Sequence, residues 1–504
     1  MVQHGKAIID RDFMISQIDP RIYGGFIEHM GRCVYEGIYD PAHPEADDWG
    51  FRKDVLAMVR ELEVPIIRYP GGNFVSGYRW EDSVGPKEDR PVRMDFAWKS
   101  IESNQVGLRE FSDWADRVGT EVMMAVNLGT RGVEEAAQLL EYCLVEGGTA
   151  FSELRKSHGR QEPYPFKVWC LGNEMDGPWQ ICNKSAAEYG ALAREAGKVM
   201  KRLDPGIELV ACGSSSRNLP TYPEWDATVL EYCYEFADYL SVHMYLENKE
   251  DDLPAYLGKS LQMDAYIDSL IATCDYIKAK KRSNKTMHLS FDEWNAVPST
   301  WKSNNAQPWI AAPALCEGSF TMADTAVFGT MIISLLKHSD RIKIACLAQL
   351  VNVFGAIMTD KDGTAWKQSI YYPFLHASLY GRGEALPVRS IVPSYPLADG
   401  TDVPLLESVS AYDEASGVLT IFAVNRSLDD DLQLDFELRG FEPFIVCDRL
   451  VMDQHPAFAM NNAQAPHNIT PREAAAASVS ENRFTVTLSP LSWNVLRLKK
   501  AING

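Results

Sequence analysis

Lys167-Val168-Trp169-Cys170-Leu171-Gly172-Asn173-Glu174 and Thr286-Met287-His288-Leu289-Ser290-Phe291-Asp292-Glu293-Trp294-Asn295 decide the reading of this chain. Each is a short apolar run of the kind that forms a strand buried on both faces. Each then ends abruptly in carboxylate and amide side chains. A buried, unpaired charge is costly, so polar groups placed at the end of such a run need a reason. Working outward, six more runs of this type occur, and together the eight predicted strands span residues 22–29, 65–71, 121–128, 167–174, 208–214, 239–245, 286–294 and 342–352. Between them lie stretches with apolar residues three and four apart, at 51–62, 108–118, 133–145, 185–203, 263–281 and 321–338, which read as amphipathic helices.

Eight alternating βα units predict a closed (β/α)8 TIM barrel. An open doubly wound sheet would favour a glycine-rich phosphate turn after an early strand, and neither G-x-G-x-x-G nor G-x-x-x-x-G-K occurs. Beyond about residue 385 the strands alternate without helices, as at 418–424, 432–438 and 484–498, which reads as a C-terminal β-sandwich of jelly-roll type. The opening segment 6–18 also alternates and is expected to join that sandwich. The predicted division is therefore a barrel over residues 19–385 and a sandwich over 1–18 plus 386–504.

Composition narrows the function. With 504 residues and 46% hydrophobic content the chain can bury a sizeable core, and a net charge of −20 disfavours nucleic acid and anionic membranes as partners. No run of signal-peptide or membrane-spanning character stands out, so a cytoplasmic location is expected. The ten cysteines are scattered without a C-x-x-C pair, and Cys170, Cys212 and Cys346 sit in apolar runs, as reduced core residues do. Gly213-Ser214-Ser215-Ser216 lacks the second glycine of a serine-hydrolase elbow.

Barrel enzymes carry their chemistry at the C-terminal ends of the strands. Here those ends read Glu28-His29, Arg68-Tyr69-Pro70-Gly71-Gly72-Asn73, Gly172-Asn173-Glu174, His243-Met244-Tyr245, Asp292-Glu293-Trp294-Asn295, and Gln349 with Asn352. Glu174 and Glu293 close the fourth and seventh strands, which face each other across the mouth. Two carboxyls about 5 Å apart there suit a double displacement on a sugar, with retention of anomeric configuration. Glu28 and His29 are adjacent on a strand and point to opposite faces, and no H-E-x-x-H is present, so no metal is expected.

The blocks Val64-Pro65-Ile66-Ile67-Arg68-Tyr69-Pro70-Gly71-Gly72-Asn73, Trp98-Lys99-Ser100-Ile101-Glu102, Trp169-Cys170-Leu171-Gly172-Asn173-Glu174-Met175-Asp176-Gly177 and Ser290-Phe291-Asp292-Glu293-Trp294-Asn295 resemble the α-L-arabinofuranosidases of glycoside hydrolase family 51. The resemblance runs to the closing Leu491-Ser492-Trp493-Asn494-Val495. It implies Glu174 as acid/base and Glu293 as nucleophile. It also implies release of terminal, non-reducing L-arabinofuranose from arabinan, arabinoxylan and arabino-oligosaccharides without a cofactor or metal, and a homo-oligomer, with a hexamer among the forms the family adopts. Glu28, Asn73 and Gln349 resemble the family's furanose-binding residues, and Trp98 lies in a family motif. Asn173, beside the acid, is placed to bond the sugar 2-OH. Arg68 and Tyr245 should lie against Glu293 and orient it, while His243 is a weaker candidate for the same pocket. The alternatives are a same-clan β-xylosidase or endoglucanase, and an inert carbohydrate-binding protein that would have little reason to keep both glutamates. Trp179, Trp301 and Trp309 fall in predicted loops on the substrate side. The stretch after Glu293, Trp294-Asn295-Ala296-Val297-Pro298-Ser299-Thr300-Trp301, lacks the early aromatic of many relatives, which points to a different aglycone side.

Overall fold

The computed structural model describes residues 1–249, 251–303 and 306–500. Its centre is a closed barrel of eight parallel strands: β1 (Gly24–Phe26), β2 (Ile66–Tyr69), β3 (Glu121–Ala125), β4 (Val168–Leu171), β5 (Glu208–Ala211), β6 (Tyr239–Leu246), β7 (His288–Ala296) and β8 (Ile342–Leu347). They hydrogen-bond in sequence order, and β8 closes onto β1 through Cys346 opposite Gly24 and Leu347 opposite Gly25. The eight expected units are thus all present, most with trimmed ends, while β6 and β7 end one and two residues later than expected. The first predicted strand begins as a 3-10 turn, Pro20–Tyr23, because Asp19 caps it and Pro20 fixes its first φ. The eighth stops at Leu347, before the residues that reach the barrel mouth.

Phe26, Ile66, Met123, Val168, Cys170, Val210, Ile344 and Cys346 fill the barrel interior with side chains, which makes it a core and not a channel. Outside, helices such as Leu108–Val118, Val133–Leu144, Ala186–Leu203, Ser260–Lys280 and Met322–Lys337 turn their apolar stripes onto the strands. Ser185 and Thr321 each cap a helix by accepting from the backbone N–H three residues on. The basic stretch at residues 278–282 closes the helix Ser260–Lys280, where cations complement the dipole. Among the described residues no helix is long and apolar enough to cross a membrane.

The second layer is a β-sandwich. One sheet runs in the order Ser16–Gln17, Glu384–Pro387, Leu406–Asp413, Val418–Asn425, Ser492–Lys500, Phe444–Met452, Arg472–Glu473. The other runs Arg389–Ile391, Val2–Asp10, Asp431–Arg439, Arg483–Leu488, and in it Val2–Asp10 lies parallel to Asp431–Arg439. Alternate residues point between the sheets, where Ile9, Leu419, Ile421, Leu434, Phe436 and Val486 are buried together.

The helix Met322–Lys337 is apolar on all sides because it is sandwiched between barrel and sandwich. Gly329 lets the Trp493 indole approach, since a Cβ there would lie 2.6 Å from the ring. Beside this contact Arg426, fully buried, bonds the Leu257 carbonyl (3.0 Å), the Pro404 carbonyl (2.9 Å), Ser260 Oγ (2.7 Å) and the Glu407 carboxylate. Burial opposes charge on Glu407, but Arg426 and Lys337 together hold its carboxyl below the usual range. Removing Arg426 leaves the buried Glu407 with Lys337 alone, and breaking a buried pair is strongly destabilising. Arg426→Ala should therefore lower the unfolding free energy by roughly 3–5 kcal/mol, seen as an earlier urea or thermal midpoint with the native circular dichroism retained below it.

Candidate active site

The polar strand ends converge on one cavity of about 890 Å³ at the C-terminal mouth of the barrel. Glu28, Asn73, Trp98, Glu174, His243, Tyr245, Glu293 and Gln349 line it. Arg68 and Asn173 lie beneath it, 1% exposed. His29 and Asn352, which share those strand ends, face elsewhere. His29 bridges Glu102 and Tyr69 (2.8 Å each), and Asn352 braces the Arg32 carbonyl (2.7 Å) and Thr359.

Glu293 is the best anchored group. Arg68 Nη1 donates to its Oε1 at 2.7 Å and Tyr245 Oη to its Oε2 at 2.9 Å. The same guanidinium donates from Nη2 to Asn173 Oδ1 (2.7 Å), and its Nε lies 3.2 Å from Asp292. Asn173 passes its own N–H to Asn73 (3.2 Å), so in this structure its amide knits the pocket floor together. Asp292 and Glu293 are consecutive, and a regular strand would send them to opposite faces. Register shifts on both flanks of β7, opposite Ser241/His243 and between Phe291 and Trp294, let both serve the mouth.

Glu174 follows a backbone that turns through left-handed conformations at Gly172 (φ 88°) and at Glu174 itself (φ 43°). A glutamate there is locally strained, a cost that surrounding structure must offset. Its Oε1 accepts from His243 Nδ1 at 2.9 Å and its Oε2 from Trp179 Nε1 at 2.5 Å. One carboxylate oxygen each from Glu174 and Glu293, with a ring nitrogen of His243, all lie within 4.8 Å of one another. That is the close spacing of a double displacement; a single displacement leaves roughly 6.5–9.5 Å for a water.

His243 has both ring nitrogens committed. Nε2 lies 3.2 Å from Ser241 Oγ, and that hydroxyl donates onward to Asp292 Oδ1 at 2.6 Å. Both nitrogens therefore act as donors, which leaves no lone pair for a metal ion, so the trio with Glu174 and Glu293 fits a hydrogen-bonded network better than a metal centre. Burial disfavours the imidazolium, but Glu293, Asp292 and Glu174 outweigh it and push His243 up to about 10. Glu28 moves upward for different reasons. Burial and the Glu293 charge raise it to about 8, against the Phe74 N–H and Trp98 indole N–H that donate to its Oε1 (3.0 Å each). Gln349 holds Glu28 from the other side, at Oε2 (3.2 Å). Gly72 is needed here, because a Cβ would fall 2.8 Å from Glu28 Oε2.

Two of the loop tryptophans belong to the cavity and two do not. Trp98 and Trp179 line it, whereas Trp301 packs edge-on against Phe354 and Trp309 against Phe96. The cavity also runs past the strand ends, along Ser215–Asn218 and Gln262, to Leu397, Ala398 and Asp399 from the sandwich side. Alternation and strand counting give no signal for these loop residues.

A close carboxylate pair on β4 and β7 of a (β/α)8 barrel defines a retaining glycoside hydrolase. Residues 58–281 match the α-L-arabinofuranosidase 1 domain and residues 292–492 the α-L-arabinofuranosidase C-terminal domain. A Bacillus subtilis protein named intracellular exo-α-(1→5)-L-arabinofuranosidase 1 is 52% identical over 500 residues, covering 99% of this chain and 100% of its own. A Bifidobacterium longum protein named exo-α-(1→6)-L-arabinofuranosidase is 42% identical over 99% of this chain and 98% of its own. A solved family 51 α-L-arabinofuranosidase from Bifidobacterium longum superimposes with a TM-score of 0.94 at 39% identity, covering 98% of this chain and 99% of that one. The chain belongs to the α-L-arabinofuranosidases of glycoside hydrolase family 51.

The site carries a pH signature. The ordinary value for His243 is 6.5, and in the folded protein it is about 10. The stabilisation it provides is complete below about pH 6.5 and is lost as pH rises through about 10. His243→Gln should flatten the fall in stability across that window, measured as urea midpoints at successive pH values.

Proposed function

We propose that the protein releases terminal, non-reducing α-L-arabinofuranosyl units from arabino-oligosaccharides by double displacement, with Glu293 as nucleophile and Glu174 as acid/base. The observation that carries this reading is the pairing itself: Glu293 fixed by Arg68 and Tyr245, and Glu174 within 4.8 Å of it, at the wall of one cavity. Arg68 and Tyr245 aim the attacking carboxylate. Glu174 sits nearer the open cleft, where it meets the leaving oxygen. Once Glu293 is esterified by the sugar, Glu174 takes the proton of the incoming water. Glu28, Asn73 and Gln349 hold the furanose hydroxyls, and Trp98 closes over the ring. Asn173 reaches the 2-OH in this scheme by turning its N–H from Asn73 to the sugar.

α-(1→5)-linked arabinan fragments are the proposed substrates, because relatives at 50–53% identity are named for that linkage. The same names support an intracellular site of action. The division into a barrel over 19–385 and a sandwich over 1–18 plus 386–504, and assembly into a homo-oligomer, belong to the same proposal. Light scattering of the purified protein measures the second directly.

Two variants test the division of labour. Glu293→Ala should lose turnover on all substrates, by about 10³-fold or more, and recover part of it with added azide, which attacks from the vacated face. Glu174→Ala should lose roughly 10²–10⁴-fold on arabinobiose and far less on aryl arabinofuranosides with good leaving groups. Equal losses on every leaving group in both variants would overturn the assignment.

A further inference from the structure

The two oxygens of Glu174 are held in unlike ways. Oε1 faces His243, which is 3% exposed and tied through Ser241 to Asp292, and Asp292 is in turn beside Arg68. That partner cannot leave without unravelling a buried chain of charged hydrogen bonds. Oε2 faces Trp179, whose residue is 49% exposed and lines the cleft. The indole N–H is a donor only, so it occupies the cleft side of the oxygen that is free to change partners.

The backbone that carries the ring is held fixed. A tight turn joins the two residues, with Gly177 N donating to the Glu174 carbonyl (2.8 Å) and Gln180 N to the Gly177 carbonyl (3.0 Å). Gln180 is pinned by its side chain to Ser76 and Asn173. The indole lies against Gly177, where a Cβ would come 2.6 Å from the ring. Trp98 is its opposite: its N–H is spent on Glu28, deeper in the pocket.

Resting on the assignment of Glu174 as the acid, we propose that Trp179 is a latch released by the leaving-group oxygen. In the empty site it fixes Glu174 by holding Oε2. When a sugar occupies the leaving-group side, along Ser216, Asn218 and Gln262, the glycosidic oxygen takes the indole's place at Oε2. The proton of the carboxyl then has a receiver within the reach of about 2.6–3.2 Å that proton transfer needs, and the freed indole meets the departing sugar. A furanose analogue with no oxygen on C1, 1,4-anhydro-L-arabinitol, fills the pocket without reaching this position and leaves the latch closed. Trp179 is thus a positioning residue acting through Glu174, and it ties acid function to the presence of a leaving group.

The test uses the full-length Glu293→Gln protein, which binds without turnover, labelled with 5-fluorotryptophan. The Trp179 resonance is assigned by its disappearance in Trp179→Phe. The latch predicts that this resonance shifts on saturation with α-(1→5)-arabinobiose and stays in place on saturation with 1,4-anhydro-L-arabinitol, with binding of both followed by calorimetry. A resonance unmoved by bound arabinobiose, or moved equally by both ligands, would overturn the latch. Turnover of arabinobiose by Glu293→Gln would strike at the nucleophile assignment alone, and failure of arabinobiose to bind at all would remove the substrate reading and the latch with it.

Discussion

One guanidinium holds the mouth of this barrel together. Arg68 rises from β2 and is buried to 1% exposure, with its face over the Phe26 ring at 4.7 Å. It reaches across to Asn173 after β4 and to Asp292 and Glu293 on β7. Without it, four carboxyls (Glu28, Glu174, Asp292 and Glu293) would crowd a partly dry site with only the His243 imidazolium among them. Arginine suits this place because its planar fork serves several acceptors at once and does not give up its proton. The arrangement gathers donors around Glu174 and Glu293, while burial and the Glu293 charge raise Glu28 to about 8.

His243 completes the pattern from β6. It is a second buried cation, yet one made by its surroundings, since burial alone would have left it neutral. Its two hydrogen bonds run from the outer carboxyl, Glu174, to the inner one, Asp292, by way of Ser241. The orientation of Glu174 is therefore coupled mechanically to the same acid that Arg68 secures. This coupling also explains how a glutamate in left-handed backbone, φ 43°, keeps a defined side-chain position.

Much of this was legible before any coordinates. Eight apolar runs with helical stretches between them fit a closed barrel, which gives every strand two partners and two covered faces, and the missing glycine-rich phosphate turn argues against the open sheet. Glu174 and Glu293 stood out because each ends a run whose other side chains belong in a core. The remainder was hidden for reasons that can be stated. Asp292 reads as the outward neighbour of Glu293 in a strand of period two, and only the register shifts of β7 turn both toward the mouth. Ser241 looks like an ordinary small core residue, since a relay has no sequence spacing of its own. Trp179 could not be told from Trp301 or Trp309, because an indole's role depends on what its loop folds against. Strand ends were overrun at β1 and β8, where the chain leaves the sheet but continues buried toward the site.

Leu397, Ala398 and Asp399 come from the sandwich side and still form part of the cavity wall. The outer layer is consequently more than a brace for the barrel. Exchange of that module between family members would transplant a piece of the leaving-group enclosure along with it. Divergence in linkage preference can then arise by drift in a region that bears none of the reacting groups, leaving the bond-breaking apparatus untouched.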